Sequence, residues 1–446
     1  MNYAPHTADE HKAMLQTIGV KDFEALVADI PAEARLKKWN LPSGLSEMEL
    51  QSLMVGLAVQ NQSTQDLLCF RGAGVYDHFI PAAVADLVMR GEFSTAYTPY
   101  QPEVSQGTLQ AIYEFQSFIC ALTGMEAANA SMYDGATAVA EAALLALKVS
   151  DRSRILVADS VHPEYREVLE TYLRYQEVQT QVLQGPAGVA DLEALEKALD
   201  EQTAALVVQC PNFFGNVESL KELAEAAHAK GALLIVASNL LSLGVLEAPG
   251  VCGADIVAGE AQPFGNAMSY GGPHVGYFAC GLKLARRMPG RVAGRAQDGQ
   301  GHWGYVLTLQ GREQHIRRQR ATSNICTNQA LCALAATVHL SLLGQEGLRQ
   351  TALANLAGAH SAAGRISGIE GFELCFEAPY FNEFAVRCPG GARDLDRYLW
   401  EEGILGGVPL GAWYPQLENA MLFCVTEKRT EAEIERLLSA LKRWKP

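Results

Sequence analysis

The chain has 446 residues, 49% hydrophobic and 19% charged, enough to bury a sizeable core and divide into more than one domain rather than stay disordered. Thirty-five basic residues against 50 acidic ones give a formal charge of −15, which leaves no footprint for nucleic acid or an anionic membrane. The ten cysteines are scattered without a CxxC pair; the nearest two, Cys326 and Cys332, lack zinc-ligand spacing, so no metal site is expected. The opening Met1–Glu10 has no basic region followed by an apolar run, and no uninterrupted apolar stretch matches a bilayer. The expectation is a soluble cytoplasmic protein.

In chain order, the first sixty residues are helical and connective. Thr7-Ala-Asp-Glu10 and Ser46-Glu-Met-Glu49 have capping-box spacing, in which a hydroxyl and a carboxylate each satisfy an orphan amide. Pro31, Pro42 and Gly44 punctuate the chain between them. This segment is expected to be an N-terminal arm or, equally, a small helical subdomain. From Arg154 the pattern is α/β, with strands at Arg154–Ala158, Val178–Leu183, Ala204–Gln209 and Ala232–Ala237. Helices at Glu164–Tyr175 and Asp191–Leu199 separate them, with a third opened by a capping box at Ser219–Glu222. Near-continuous apolar strands between amphipathic helices predict a mostly parallel sheet covered on both faces. A Gly-rich loop at Gly265–Gly276 precedes a strand at Tyr277–Cys280 and an apolar helix over Thr327–Leu343. Short strands at Gly371–Phe376, Glu383–Arg387 and Met421–Val425 then alternate with helices at Ala392–Glu402 and Glu431–Trp444. The expected division is the arm (1–60), a large α/β domain (61–325) and a smaller C-terminal α+β domain (326–446).

The long motifs carry a resemblance. They are Tyr97-Thr-Pro-Tyr-Gln-Pro-Glu-Val-Ser-Gln-Gly107, Leu122-Thr-Gly-Met-Glu-Ala-Ala-Asn-Ala-Ser-Met-Tyr-Asp-Gly-Ala-Thr-Ala138, Arg71-Gly-Ala-Gly-Val-Tyr-Asp77, His162-Pro-Glu-Tyr-Arg-Glu167, Gly271-Gly-Pro-His-Val-Gly276 and Ala321-Thr-Ser-Asn-Ile-Cys-Thr327. Over nearly the whole chain they resemble the glycine cleavage system P-protein, the pyridoxal-phosphate (PLP) dependent glycine decarboxylase. The single-chain form is about twice this length, and some bacteria and archaea split it in two; by length the sequence resembles the alpha chain of the split form. The resemblance implies a PLP-dependent transferase-like fold (fold type I) and an alpha2beta2 assembly with a beta subunit that carries the PLP. Together the chains would decarboxylate glycine and pass the aminomethyl group to the lipoyl arm of the H-protein. The alpha chain would be inactive alone and would hold no cofactor covalently.

Two absences agree with that division. Where an enzyme of this kind would place its Schiff-base lysine, the chain has Glu260, Ala261, Gln262 and Pro263, none of which supplies a primary amine. The stretch Ile235-Val-Ala-Ser-Asn239 lacks the carboxylate that would pair with a pyridinium nitrogen. Asp134, Gly135, Thr137, His162 and Ser238 are therefore expected to line a vestigial cofactor pocket. Asp134-Gly-Ala-Thr137 opens a helix, a natural phosphate cradle, though a plain capped helix start is the preferred account. His162 lies where the family's catalytic chain stacks a ring on PLP, with a structural histidine preferred here. His274 could in principle replace the lysine as a base, but an imidazole makes no stable aldimine, and Lys283 sits in an exposed basic helix. The loop with Tyr97, Thr98, Tyr100, Gln101 and Glu103 mixes aromatic and polar groups that no periodicity explains. It is expected to reach across an interface toward the partner's site, with interface glue as the alternative. Thr322, Ser323 and Asn324 are a weaker set of the same type, for which helix capping is the bland explanation. The glycines at 265–276 lack GxGxxG spacing, so dinucleotide binding is not expected. A structural pseudoenzyme that only stabilises its partner is the second reading. A lysine-independent PLP enzyme is the third, and Glu260–Pro263 offers it no histidine.

Overall fold

The computed structural model describes residues 6–36, 38, 40–94 and 97–446. The chain divides into two compact units, Met1–Gln62 and Ser63–Pro446. In the first, the helices Ala8–Ile18 and Glu47–Ala58 both begin with the expected capping boxes, the Thr7 N–H donating to Glu10 at 2.6 Å and the Ser46 N–H to Glu49 at 2.8 Å. Neither helix buries a residue, and Met48, Leu53, Met54 and Leu57 on the second are exposed.

The second unit is built on a seven-stranded sheet. Across it run Ala127–Ala128, Gly276–Cys280, Ile256–Glu260, Leu233–Ser238, Thr203–Cys210, Arg154–Ala158 and Gln179–Leu183. The last five are mutually parallel, and the first two join antiparallel at one edge. Ile155, Leu206, Ile235 and Val257 are fully buried, which is why these strands are apolar throughout instead of alternating. The helix Gly135–Ser150 packs on this sheet through Ala138, Ala140, Ala142, Ala143 and Ala146, all solvent-free. An alanine-rich helix of this kind keeps high helix propensity and lets the sheet approach closely.

A four-stranded antiparallel sheet follows, in the order Glu373–Leu374, Glu383–Arg387, Ala420–Cys424, Val408–Pro409. The helices Ala392–Glu401 and Glu431–Arg443 bury Leu395, Leu399, Leu437 and Leu441 in a second core. Phe70 belongs to that core as well, and Leu68–Cys69 pairs in parallel with Ile404–Leu405, so the chain enters the second unit through its smaller layer. The helix Ala330–Ile366 links the two cores, contributing Leu340, Leu348 and Ala352 to the larger and Ala359, Ala362 and Ile366 to the smaller. It is the one described helix long and apolar enough, by length and composition alone, to cross a membrane, and it packs into both cores.

Four local expectations differ from the structure. Ser219 precedes its helix, Leu220–Ala229, but its ψ of 68° keeps the hydroxyl from capping, and the Leu220 N–H bonds Glu218 O instead. The apolar helix expected over Thr327–Leu343 starts at Ala330 and continues to Ile366, through a break at Gly344 with φ 59° and ψ −175°. The strand expected at Gly371–Phe376 forms a ladder only at Glu373–Leu374, with one further bond from the Cys375 N–H to Ala385 O at 2.9 Å. The antiparallel hairpin of Val292–Gln297 and Trp303–Thr308, which exposes Arg295 and Gln297 but also Trp303 and Val306, was not expected from the pattern.

Candidate functional site

Two regions collect the residues that the sequence singles out. The first is the start of the helix Gly135–Ser150, where it meets the ends of the central strands. A helix start leaves backbone N–H groups without intrahelical partners and a positive dipole end. Here the Thr137 N–H donates to Asp134 Oδ1 at 2.8 Å, and the Gly135 N–H donates to Glu260 Oε2 at 3.1 Å. Glu260 ends the strand Ile256–Glu260, and its other oxygen accepts the N–H groups of Val275 at 2.9 Å and Gln262 at 3.1 Å. Burial pushes the Glu260 carboxyl up to about 7, against the pull of these three donors.

Tyr165 closes the cradle from the other side: a methyl group on Gly135 would lie 2.1 Å from Tyr165 Oη and 3.0 Å from the Glu260 nitrogen. The His162 ring stacks on Tyr165 with centroids 5.1 Å apart and meets Phe213 edge-on at 4.8 Å. His162 Nδ1 accepts the Glu164 N–H at 3.2 Å, which assigns the proton to Nε2, facing Ala73 O at 2.9 Å. Burial holds its pKa below the ordinary histidine value, so the ring is neutral. Ser238 donates from Oγ to Cys210 O at 3.0 Å, and its own carbonyl accepts the Tyr277 hydroxyl at 2.8 Å. Gln262 is buried and satisfied by Tyr76 and Asn266, and the Ala261 N–H bonds Val275 O at 2.8 Å. His274 donates from Nε2 to Met268 O at 3.2 Å, outside this pocket, and Lys283 is exposed.

The pocket bounded by Tyr76, His162, Tyr165, Ser238, Glu260 and Pro263 contains about 30 Å³ of free space. That is room for one or two waters, against roughly 300 Å³ or more in typical small-molecule sites. With no lysine, no carboxylate at Ser238–Asn239 and an internal anion on the helix start, these residues do not fit PLP.

The second region is the loop before the helix Gln106–Thr123. Tyr97 is 87% exposed and Tyr100 50%; Gln101 and Glu103 are also exposed, while Thr98 is half-buried. Behind the loop lies buried Arg291, its guanidinium 5.6 Å from the Tyr100 ring centroid and bonded to Asn328 Oδ1 at 3.2 Å. The His315 ring meets Tyr100 edge-on at 6.0 Å. Gln106 pins the loop to the hairpin, accepting the Tyr305 N–H at 2.9 Å and donating to Pro102 O at 2.7 Å. Tyr97, Asn328 and Gln329 line one cleft; Ser323 and Asn324 line another, with Glu141, Lys148 and Arg318. Thr322 accepts the Lys148 ammonium on its carbonyl.

The structure thus brings Asp134, Gly135, His162, Ser238 and Glu260 together and keeps Tyr97–Glu103 and Thr322–Asn324 apart from them. Sequence reasoning treated Glu260 only as a missing lysine and did not single out Tyr165, Arg291 or His315. The one available signal was Glu260 itself, the sole charge in the otherwise uncharged run Ile256–Gly265.

A family model for the glycine cleavage system P-protein matches residues 1–441. The chain is 52% identical over 442 residues to the probable glycine dehydrogenase (decarboxylating) subunit 1 of Desulforamulus reducens, with 99% of each chain covered. It is 51% identical, with the same coverage, to the protein of that name from Desulfitobacterium hafniense. A crystal structure of glycine decarboxylase (P-protein) of the glycine cleavage system, in inhibitor-bound form, is similar at a TM-score of 0.91 and 43% identity, covering 99% of both chains. A sphingosine-1-phosphate lyase from Burkholderia pseudomallei, at a TM-score of 0.67 and 16% identity over 93% of each chain, shares the fold alone. The architecture is the fold-type-I, PLP-transferase-like one that the resemblance implies. The chain belongs to the glycine cleavage system P-protein family.

Proposed function

We propose that this chain is the PLP-free alpha subunit of a two-chain glycine decarboxylase. The observation that carries the reading is the filled cofactor pocket: about 30 Å³ remains where a cofactor would sit, while the aromatic and polar loop Tyr97–Glu103 faces outward with its own chain leaving it uncovered. PLP then belongs to the beta subunit, in an alpha2beta2 assembly in the cytoplasm. The complex decarboxylates glycine and passes the aminomethyl group to the lipoyl arm of the H-protein. In this reading Tyr97, Thr98, Tyr100, Gln101 and Glu103, with Thr322, Ser323 and Asn324, form one wall of the partner's site. Their task is to orient the substrate and exclude water, with Arg291 holding the Tyr100 ring from behind. Exposed apolar side chains on the helix Glu47–Ala58 suit an arm laid on the partner.

The test is to co-purify this chain with its partner and measure glycine-dependent bicarbonate exchange with and without it. Exchange that needs both chains supports the reading. Full exchange by the partner alone leaves this chain a stabilising pseudoenzyme, and a Schiff-base absorbance band from this chain alone with PLP overturns the division of labour.

A further inference from the structure

We propose that Glu260 is a built-in plug: its carboxylate takes the place, at the start of the helix Gly135–Ser150, that the phosphate of a phosphorylated ligand would take, and so keeps such anions out of this chain. A helix start of this kind, with a glycine at its first position and a second glycine, Gly276, close against Asp134 O, is suited to hold an anion. The anion it holds is the chain's own. Glu260 reaches it at 3.1 Å through the Gly135 N–H and is held in place by the N–H groups of Val275 and Gln262 at 2.9 and 3.1 Å.

No packing argument asks for a carboxylate here. The strand it ends is fully buried through Ile256, Val257, Ala258 and Gly259, and its three hydrogen-bond donors are all backbone amides, with no cation among them. Displacing it means breaking three hydrogen bonds and, above pH 7 where the carboxyl is ionised, bringing a second negative charge beside the first. The Tyr165 hydroxyl, against Gly135, occupies the remaining approach. The role of Glu260 is exclusion: a chain that shares its fold with a cofactor-binding partner does not compete for the cofactor.

This inference rests on the reading that the cofactor belongs to the partner, and the test separates the two. Glu260→Asn removes the charge and one methylene while keeping an amide oxygen for the Val275 N–H; Glu260→Ala removes the group. The full-length chain and both variants are titrated with inorganic phosphate by calorimetry, and Tm is followed against phosphate at matched ionic strength. The wild type should show no saturable binding. The variants should bind at least tenfold more tightly than any wild-type signal, with a Tm that rises with phosphate. A folded variant that binds no better than wild type overturns the plug, as does a wild type that binds equally well. Should neither variant fold, amide hydrogen exchange on the wild type decides: a Gly135 N–H that exchanges as an unbonded helix-start amide refutes the contact, and a protected one supports it. Uptake of PLP by the wild-type chain would instead refute the partner reading, a result distinct from phosphate-blind variants.

Discussion

Replacing Glu383 with glutamine should change how stability depends on pH. Glu383 lies on the inner strand of the small sheet, 5% exposed, where its carboxyl accepts the Ala73 N–H at 2.6 Å and the Tyr76 hydroxyl at 2.8 Å. Burial raises its pKa from 4.5 to about 7. Between those values the folded chain holds a proton that the unfolded chain has released. The resulting stabilisation is full below pH 4.5 and is lost as pH rises through 7. At 1.36 kcal/mol per pH unit the whole effect is about 3 kcal/mol, of which about 2.5 kcal/mol develops between about pH 8 and pH 5. His339 works in the opposite direction: burial lowers it to about 4, so it costs stability as pH falls. His339 is common to both proteins, however, and cancels in their difference. Urea unfolding of wild type and Glu383→Gln at three pH values spanning this range measures that difference. The gap should move by about 2.5 kcal/mol in favour of the wild type at the acid end. Parallel curves would mean that the Tyr76 and Ala73 donors offset burial completely, and the reasoning from burial would be wrong.

Gly135→Ala should destabilise the chain by about 1–3 kcal/mol, since the new methyl meets Tyr165 Oη at 2.1 Å, and Tyr165→Phe in the same background should recover part of the loss in thermal melts. Gly344→Ala meets no atom within 4 Å, so its cost, about 1–3 kcal/mol by denaturation, should come wholly from backbone strain at φ 59° and ψ −175°. In the reconstituted complex, Tyr100→Phe or Glu103→Gln should lower glycine-dependent exchange with an unchanged gel-filtration profile; a loss confined to complex stability would mark the loop as interface glue. Glu427→Gln should weaken the bridge to His78, 2.8 Å away, and shift acid unfolding to higher pH. Glu427 is held at about 2, so it now gives stability that is lost only as pH falls well below 4.5.

Local chemistry was legible and long-range chemistry was not. The capping boxes at Thr7 and Ser46 stand where their spacing puts them, because a hydroxyl and a carboxylate three residues apart need nothing else. Ser219 has the same spacing and fails, because its own backbone, at ψ 68°, leaves the extended conformation that a cap requires. The central strands were legible as unbroken apolar runs, which only a doubly covered sheet demands. The second half of the helix Ala330–Ile366 was hidden by Gly344 and Gly347, which resemble a stop signal until the packing on both sides is seen. Glu260 was misjudged for the same reason. Its meaning lies in Gly135, 125 positions earlier, and no window of sequence holds both.

The helix that spans the two cores has a mechanical consequence. From Gln345 to Ile366 it is an unbroken rod of 22 residues, about 33 Å long at 1.5 Å per residue. Its early turns are fastened to the large sheet's core and its late turns to the smaller layer. A tilt of about 10° about one end of such a rod moves the other by about 6 Å. Any closing of the smaller layer is therefore delivered as leverage at Leu348, beside Gly244, whose missing side chain leaves the Leu348 carbonyl 2.9 Å from where a Cβ would stand. The glycine break at 344 lies just before that fulcrum and separates the rod from the turns ahead of it, which are seated on the sheet.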